Sequence, residues 1–329
     1  MRALKTLFIA LFGFCTSVHA DSTDNSFIFL LDVELLYWKA HEGHLQFANL
    51  SQPIDSTNNF TTSSLVKPDF DWDFGFRACF GYASPETKWD CLARFTYIEN
   101  TASGSYNTGT VLEEIDSSSV AFFPVLSRQS NLNQGDYVFG SSMNWRSLLN
   151  IYDLYSGYHF QLIKWFEITP YFGLRGIRVN QSLNANYSGG IFATGTDQLS
   201  MKNNYWGIGP YISVCPEFIV YKGLSIPLSV GTSSLLGQLS LEQNERYFST
   251  TLFSYNDSSF RLRWILDASA ALKYAFTVFQ GRYEVAFSAG WEYHLFFNQN
   301  SLPQNQFALL KGSRDLSFSG AFFSALLRF

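Results

Sequence analysis

Two histidines and a glutamate near the start of the chain are of residue types that serve as metal ligands in proteins. They lie in the run His41-Glu42-Gly43-His44, which supplies two imidazoles and one carboxylate. The run follows the first alternating apolar segment, and side chains three positions apart on a strand point to opposite faces. The spacing therefore favours a solvated loop over a metal site. We predict no bound metal and no cofactor.

A second acidic group alternates with aromatic residues, at Asp69, Asp71 and Asp73. Residues two apart on one face of a strand are about 7 Å from each other. That distance is too large for a compact oxygen shell around a hard cation unless ligands come from elsewhere. The pattern favours carboxylates that line one face of a strand and pair with basic residues of neighbouring strands.

Catalytic patterns are scarce in the sequence. The chain has five histidines and no Gly-x-Ser-x-Gly turn of the kind that carries a hydrolase nucleophile. We predict no catalytic residues and no enzyme activity, and an outer-membrane lipase or protease is the alternative from the enzyme class. The formal net charge is −5 and no basic run is present, which argues against nucleic acid as a partner.

Composition indicates an exported membrane protein. Charged residues make up 15% of the 329 residues, below the roughly 25% typical of soluble domains, whereas aromatic residues reach 18%. Residues 1–20 have a basic start, a short apolar run at 7–14 and small residues before a cut near Ala20, as in a signal peptide. Residues 21–329 then form one domain without the apolar run that a transmembrane helix needs.

A regular pattern lies at residues 69–82, where aromatic or apolar residues alternate with charged or small ones. An aromatic face opposite a charged face is typical of a strand, because successive side chains of a strand point to opposite sides. Ten such segments occur, near 29–39, 69–82, 89–99, 145–158, 166–178, 205–215, 224–235, 261–276, 283–297 and 315–329. Most of them have the length of a tilted bilayer crossing.

Long and short connections alternate between these segments. Long, polar gaps follow every odd segment and short gaps follow every even one, as in barrels with external loops and periplasmic turns. The sequence therefore predicts an all-β fold: a single closed antiparallel transmembrane β-barrel of about ten strands. The apolar stretch 120–126 leaves two alternatives open. It could add a hairpin and give twelve strands, or it could fold into the barrel mouth.

Charged residues of the segments share the face opposite the apolar one, which in a barrel is the lumen. The candidate pore-lining residues are Asp32, Glu34, Asp71, Asp73, Arg77, Asp90, Arg94, Glu167, Arg175, Arg261, Arg263, Asp267, Lys273, Glu284 and Glu292. Aromatic residues near the segment ends predict two interfacial girdles. The loop-end girdle contains Tyr37, Tyr97, Trp145, Trp206 and Trp264, and the turn-end girdle contains Tyr82, Trp89, Trp165, Tyr274 and Tyr283.

Short motifs in the same order along the chain resemble those of a known family. They are Leu-Tyr-Trp-Lys-Ala at 36–40, Asp-Trp-Asp-Phe-Gly-Phe-Arg at 71–77 and Pro-Tyr-Phe-Gly-Leu-Arg-Gly at 170–176, followed by the motifs at 206–210, 234–237 and 290–293. With them the chain resembles the pore-forming outer-membrane proteins related to the Legionella and Chlamydia-like major outer membrane proteins. The ending Leu-Arg-Phe at 327–329 also resembles the signal that barrel-assembly machinery reads, with Phe329 as its aromatic residue.

The resemblance implies a porin-like barrel in the outer membrane of a Gram-negative-type bacterium. We predict a narrow, mildly cation-preferring, water-filled pore for small hydrophilic solutes or ions, because the candidate lumen residues contain more acids than bases. A closed structural barrel or adhesin that acts through its external loops is the alternative, since ten strands enclose little space. The predicted partners are outer-membrane lipid, the barrel-assembly machinery and small solutes, and a homo-oligomer is compatible with the sequence.

Three cysteines follow the signal peptide. If residues 84–87 form the turn, Phe80 lies opposite Cys91 and Cys79 opposite Leu92, so the two thiols lie on opposite faces of one hairpin. A disulfide needs Cβ atoms about 3.5–4.5 Å apart. We therefore predict that Cys79 and Cys91 do not pair with each other, and the odd count of Cys79, Cys91 and Cys215 excludes a fully paired internal framework.

Overall fold

The computed structural model describes residues 28–53, 60–84, 87–107, 121–127, 138–192, 195–280, 282–301 and 314–329. Ten long strands dominate these residues. They are β1 (Ile28–Glu42), β2 (Trp72–Ser84), β3 (Trp89–Asn107), β4 (Gly140–Tyr158), β5 (Phe166–Ser188), β6 (Thr196–Tyr221), β7 (Leu224–Tyr247), β8 (Thr250–Val278), β9 (Tyr283–Phe296) and β10 (Leu316–Arg328). The predicted signal peptide lies outside the described residues.

The ten strands form one closed antiparallel ring. Each strand pairs with the next along the chain, and β10 pairs back with β1 from Leu30↔Arg328 to Glu42↔Leu316. Two short strands, Asp69–Phe70 and Phe160–Ile163, extend the same sheet beside β3 and β5. The predicted barrel of about ten strands is confirmed. Among the described residues, no helix is long and apolar enough to span a membrane.

The register of the hydrogen bonds sets the size of the barrel. From Glu34, the paired residues followed through β2 to β7 reach β8 at Arg261. Followed the other way, through β10 and β9, they reach β8 at Lys273, twelve residues further along. With about 3.3 Å per residue and about 4.8 Å between strands, this displacement tilts the strands by about 40°. The backbone ring is then about 20 Å across, so side chains from opposite walls meet inside it.

In the half of the barrel near the turns, apolar side chains point outward. Along β6, Ile208, Ile212 and Val214 are exposed on the outer surface, while Tyr211 and Ser213 between them are buried. The same alternation gives β1 an exposed Leu35 and Tyr37. This is the polarity that lipid imposes on a barrel, and it explains why the sequence pattern located these segments.

Above this belt the strands β3 to β8 continue as a projecting wall, whose residues are 100–107, 140–149, 179–188, 196–205, 238–247 and 250–260. On β8 the last pair with β9 is Ile265↔Phe296, whereas pairing with β7 runs on to Tyr247↔Thr250. In the wall the polarity is inverted. Leu199 and Met201 are buried on the inner face of β6, and Lys202 is exposed on the outer face.

A small separate sheet covers the inner face of the projecting wall. Its three strands are Ala48–Pro53, Phe60–Val66 and Ala121–Pro124. We call this sheet, together with residues 45–47 and 125–127, the cap. Val125 and Leu126 are buried, so residues 121–126, the described part of the apolar stretch noted at 120–126, fold into the mouth and add no barrel hairpin.

Hydrogen bonds fix the cap to the wall. Tyr187 Oη donates to the carbonyl oxygen of Phe47 over 2.7 Å, and Leu126 N donates to Tyr187 Oη over 3.3 Å. Ser127 Oγ donates to a Glu245 carboxylate oxygen over 2.7 Å. Phe47 is fully buried and lies so close to Gly104 that a Cβ there would come within 2.8 Å of the ring. The cap is therefore a packed part of the fold.

Three local expectations are corrected. The alternation predicted over 69–82 breaks at Asp71: Phe70 packs on the buried Trp145 at a ring distance of 5.4 Å, whereas Trp72 points outward and stacks on Tyr37. Asp71 lies in the break and is exposed. Trp145 belongs to the inner face of β4 and not to the loop-end girdle, because the polarity of the wall is inverted there.

The hairpin with the two cysteines is shifted in register. Tyr82, not Phe80, pairs with Cys91, because the turn lies between Ser84 and Trp89. The shift of two residues keeps each thiol on its predicted face: Cys79 is buried inside, and Cys91 is half-buried outside. Among the described residues Cys79, Cys91 and Cys215 are free, so Cys79 and Cys91 do not pair with each other, as predicted.

Candidate functional site

A continuous chain of ion pairs crosses the barrel interior near its middle. It begins on β1, where Glu34 accepts a bond of 2.6 Å from Arg77 of β2. The other end of the same guanidinium bonds Glu292 of β9 over 3.0 Å. Since β1 and β10 lie between β2 and β9, this arginine bridges three strand intervals across the lumen.

The chain continues through a histidine to the opposite wall. His294 Nε2 lies 3.3 Å from Glu292, and its Nδ1 lies 2.7 Å from Asp267 of β8. Asp267 also binds Arg175 of β5. These contacts join β9 to β5 across the inside of β6 and β7.

Arg175 and Asp153 complete the chain. Arg175 Nε donates to Asp153 over 2.7 Å, and Arg94 of β3 donates to the same carboxylate through Nε over 3.0 Å and through an NH₂ group over 2.7 Å. We call the eight residues the ion-pair network: Glu34, Arg77, Glu292, His294, Asp267, Arg175, Asp153 and Arg94. Four carboxylates thus face three arginines and one histidine, which makes a nearly neutral array.

Burial makes the network costly unless every charge has a partner. Arg175 is 1% exposed and Arg77 is 5% exposed. Removing a single partner from such a buried pair typically costs 3–5 kcal/mol, about the energy that an uncompensated buried charge requires. Tyr211 adds a ring 4.1 Å from the Arg175 guanidinium, and Tyr155 a ring 5.1 Å from that of Arg94. Each charge of the network therefore has an opposite charge beside it, although Glu292 Oε1 and His294 Nε2 have no hydrogen-bond partner among the described residues.

Aromatic and polar side chains fill the interior below the network. Tyr155 packs edge-on against Tyr171 and Tyr211 at ring distances of 5.2 and 5.9 Å. Tyr171 Oη donates to Asp90 Oδ2 over 3.1 Å, and the same carboxylate oxygen lies 3.0 Å from His159 Nε2. These side chains lie between the network and the turns.

His159 lies beyond the last pair of β3 and β4, Trp89↔Tyr158, at the turn end of the barrel. Its Nδ1 is 2.6 Å from Glu167. Hydrogen bonds to the carboxylates of Asp90 and Glu167 raise the pKa of His159 to about 9. The imidazolium is then the form that holds the two acids together.

An apolar layer lies above the network. Trp38 is fully buried 5.6 Å over the Arg77 guanidinium, and it contacts the rings of His294 and Phe318. Ile98, Leu149, Ile265 and Phe296 belong to the same buried cluster, which continues upward to the wall and to Phe47 of the cap. Ion pairs, apolar layer and cap thus follow one another along the barrel axis.

The structure brings six predicted lumen residues into the network: Glu34, Arg77, Arg94, Arg175, Asp267 and Glu292. Asp32 lies on the same inner face of β1, and its Oδ1 is buried without a hydrogen-bond partner among the described residues. Asp90 and Glu167 belong to the turn-end cluster described above. Lys273 pairs with Glu217 over 2.8 Å, and Glu284 pairs with Arg328 over 3.2 Å, also near the turns.

Four predicted lumen residues lie elsewhere, above the network. Asp73 accepts a bond of 2.9 Å from Thr101 N, and the exposed Asp71 accepts one of 3.3 Å from Thr101 Oγ1. Arg263 is buried against the 298–301 segment, where it donates to Ser301 Oγ over 2.7 Å and to the carbonyl of Asn298. Arg261 has the inner-face parity of Arg263 and Asp267 but is exposed beyond the last β8–β9 pair.

Two network residues were not among the sequence candidates. Asp153 lies on β4, whose inner face also carries Trp145, Leu149 and Ile151, so no clean polar face marks the acid. His294 lies two positions after Glu292 and therefore on the same face of β9, and this shared face was the sequence signal that could have identified it. His41 and His44 do not join a metal site, and no group of three metal-binding side chains occurs in the described part of the chain.

Comparison with known proteins identifies relatives of the fold. Residues 24–329 match the family model described as Legionella pneumophila major outer membrane protein precursor. No curated protein matches the chain. Among solved structures, the outer membrane protease OmpT of Escherichia coli has 10% identity and a TM-score of 0.44, covering 95% of this chain and 99% of that one. A Pseudomonas aeruginosa FadL homologue has 9% identity and a TM-score of 0.26, covering 92% and 90%.

Proposed function

This chain belongs to the Legionella pneumophila major outer membrane protein family and is an outer-membrane β-barrel, and we propose that its barrel is a closed anchor that presents the projecting wall and the cap outside the cell. One observation carries the proposal: the interior is filled along its axis. Tyr155, the nearly unexposed Arg175, Trp38 and Phe47 occupy successive levels from the turns to the mouth. Small barrels are commonly filled by side chains in this way.

The layered interior is more than a narrow constriction. A diffusion pore needs a continuous hydrated path, and gating by a hydrophobic constriction removes water from that path. Here the apolar layer and the cap would both have to move before solute could pass. An anchor needs no such movement, and its functional surface is the part that projects beyond lipid. The predicted loop-mediated alternative therefore becomes our main proposal.

A pore is the second candidate, and it is favoured by the inner-face acids. Asp32 adds a carboxylate to a network that already has four, so a lumen opened by movement of the cap would be acidic. Burying ion pairs also costs desolvation free energy, and well-packed apolar residues of similar volume are often at least as stabilising. Stability alone therefore does not explain why the lumen contains the ion-pair network. We propose that any such pore is narrow and mildly cation-preferring, as the sequence predicts.

Planar-bilayer recording with the purified, folded protein separates the two candidates. The anchor proposal expects no conductance at voltages where an open porin conducts. Conductance with a cation-shifted reversal potential would replace the anchor by the pore. In that case Asp32→Asn should shift the potential toward anions without breaking an ion pair, and Asp257→Asn, on the projecting wall, should not. The same preparation should not hydrolyse a generic ester, and turnover would favour the hydrolase alternative.

The remaining expectations are proposals of the same kind. We propose that residues 1–20 are removed as a signal peptide near Ala20, that the barrel-assembly machinery inserts the chain, and that no nucleic acid binds it. Size-exclusion chromatography with light scattering distinguishes a monomer from a homo-oligomer.

A further inference from the structure

An arginine stands on the outer surface of the barrel where the surface changes from apolar to polar. Arg178 of β5 is exposed and pairs in register with Trp206 of β6. Nearer the turns, Phe172 and Leu174 are both 54% exposed on the same face of β5. Nearer the mouth, the same face continues with Asn180. Arg178 is therefore the first charged residue above the lipid-facing surface of this strand.

The side chains around Arg178 form a shallow polar pocket. The pocket is lined by Arg178, Asn180, Asn204, Tyr205, Trp206, Gln238 and Ser240 and has a volume of about 420 Å³. Trp206 Nε1 donates to Gln238 Oε1 over 3.4 Å, which orients the indole at one side. Arg178 Nε donates to Asn180 Oδ1 over 3.3 Å, which turns the guanidinium toward the pocket.

The charge of Arg178 is not matched within the described residues. Its two basic neighbours on the outer surface each have an acid: Arg146 pairs with Glu99 over 2.5 Å and Lys202 with Glu242 over 2.9 Å. No such carboxylate contacts Arg178. An arginine facing lipid costs up to a few kcal/mol at the bilayer midplane and about 0–1 kcal/mol near the interface, so the position is suited to the headgroup level.

We propose that this pocket, which we call the Arg178 pocket, binds the phosphate of a phosphorylated glycolipid in the outer leaflet. The planar guanidinium makes two parallel hydrogen bonds with a phosphate, which suits Arg178 better than a point charge would. Gln238 Nε2 donates to Ser258 Oγ over 2.8 Å, which holds this side chain at the rim of the pocket. The neighbouring amides of Asn180 and Asn204 both donate and accept, as sugar hydroxyl groups require. Trp206 has the amphipathic ring that is enriched at the membrane interface.

Amide groups decide between two phosphate sources. A glycerophospholipid would use the arginine and the indole but would leave most of the amide groups to water. A phosphorylated sugar headgroup uses both sets. The pocket is on the outer wall, away from the ion-pair network and the cap, so this inference stands whether the barrel is an anchor or a pore.

Native mass spectrometry of the folded protein in a neutral detergent tests the site. The probes are bis-phosphorylated lipid A, dephosphorylated lipid A and phosphatidylglycerol. The wild-type protein should bind the bis-phosphorylated form at least about ten-fold more tightly than either other lipid, as expected for a charge-assisted bidentate contact. Arg178→Gln should remove that preference, and Arg178→Lys should keep part of it.

The matched control is Arg246→Gln. Arg246 is also exposed on the outer face, but it lies far up the projecting wall, paired with Gln198 near the end of β7. This variant should bind lipid A like the wild type. Both variants should keep the heat-dependent gel shift of a folded barrel. Equal binding of bis-phosphorylated lipid A by Arg178→Gln, or equal wild-type affinity for phosphatidylglycerol, would overturn the proposal.

Discussion

The lower barrel and the projecting wall use the same strands with opposite polarity. Below the level of Arg178, β5 has Phe172 and Leu174 outside and Arg175 inside. Above it, Leu183 and Tyr187 are buried inside while the polar Asn184 is exposed outside. Lipid covers the outer face of the lower barrel, so apolar side chains point outward there and charged side chains point into the interior. Water meets the outer face of the wall, so its apolar groups turn inward and need a cover, which the cap provides.

Their stability should differ accordingly. In the lower barrel, the partners of the ion-pair network are distant in sequence, and every strand is part of the closed ring. Damage to the network is therefore expected to weaken the whole barrel. In the wall, the inner surface is closed by a small separate sheet that is not part of the ring, so damage to the cap is expected to stay local.

Arg175→Ala should have the largest effect. It leaves Asp267 with only His294 as a charged partner and removes one of two arginines from Asp153, so we expect a loss of about 3–5 kcal/mol in the stability of the barrel. Denaturant unfolding in detergent, followed by tryptophan fluorescence and by the gel shift, measures it.

Arg261→Ala is the matched control, because the sequence pattern treats the two arginines alike although Arg261 is exposed. It should change the stability by no more than about 0.5 kcal/mol. Adding Asp267→Asn to Arg175→Ala should restore part of the loss. Equal midpoints for the two alanine variants would show that the network does not stabilise the barrel.

Phe47→Ala should loosen the cap and leave the barrel intact. The ring is fully buried against the wall, and large-to-small substitutions of buried aromatic residues cost about 3–5 kcal/mol. We expect faster proteolysis within the cap at an unchanged midpoint of barrel unfolding. Phe74→Ala is the control, because Phe74 is 67% exposed on the lipid-facing surface. A parallel fall of the barrel midpoint would mean that the two regions unfold as one unit.

Phe329→Ala should weaken the seam of the lower barrel. Phe329 and Phe29 exchange two backbone hydrogen bonds of 2.8 and 3.0 Å, and their rings stack 5.9 Å apart. The ring contact contributes about 0.5–1.5 kcal/mol. We expect less heat-modifiable protein in the outer membrane, because an open seam leaves backbone groups unsatisfied in lipid. Phe329→Tyr keeps the ring and should assemble normally, and equal yields for both variants would count against a role in assembly.

Asp197→Asn should have the smallest effect, seen as a change in pH dependence. Burial, and then the neighbouring Glu245 carboxylate, raise the pKa of Asp197 from 3.8 to about 7 in the wall. Between these values the unfolded wall binds fewer protons, so docking of the cap should weaken as the pH rises from about 4 to about 7 and then stay constant. Hydrogen exchange in the wall at pH 5 and pH 8 should show this difference in the wild type.

The asparagine variant should lack most of that difference. Asp257→Asn, at a half-buried position on β8, is the control and should respond to pH like the wild type. An unchanged pH response in Asp197→Asn would assign the effect to another group.

The sequence by itself determined the barrel and the lipid-facing half of every strand. Alternation arises where the two faces of one strand meet different surroundings, and lipid outside a polar interior gives a large, constant difference. This placed Glu34, Arg77 and Arg175 on the inner face. The alternation also placed Cys79 and Cys91 on opposite faces of their hairpin, although the predicted register between β2 and β3 was shifted by two residues. Most of the predicted strands ended before the wall, because side-chain alternation in the wall has the opposite polarity.

Only the tertiary structure decided which inward groups meet. Arg175 and Asp267 are 92 positions apart and lie on strands that are not neighbours, and parity on a strand contains no information about the opposite wall. Asp153 was hidden because apolar residues share its face, and their burial depends on a cap supplied by distant loops. The break at Asp71 follows from Phe70 packing on Trp145, a contact across the sheet. Side-chain alternation is local to a strand, whereas filling a lumen depends on the closed ring.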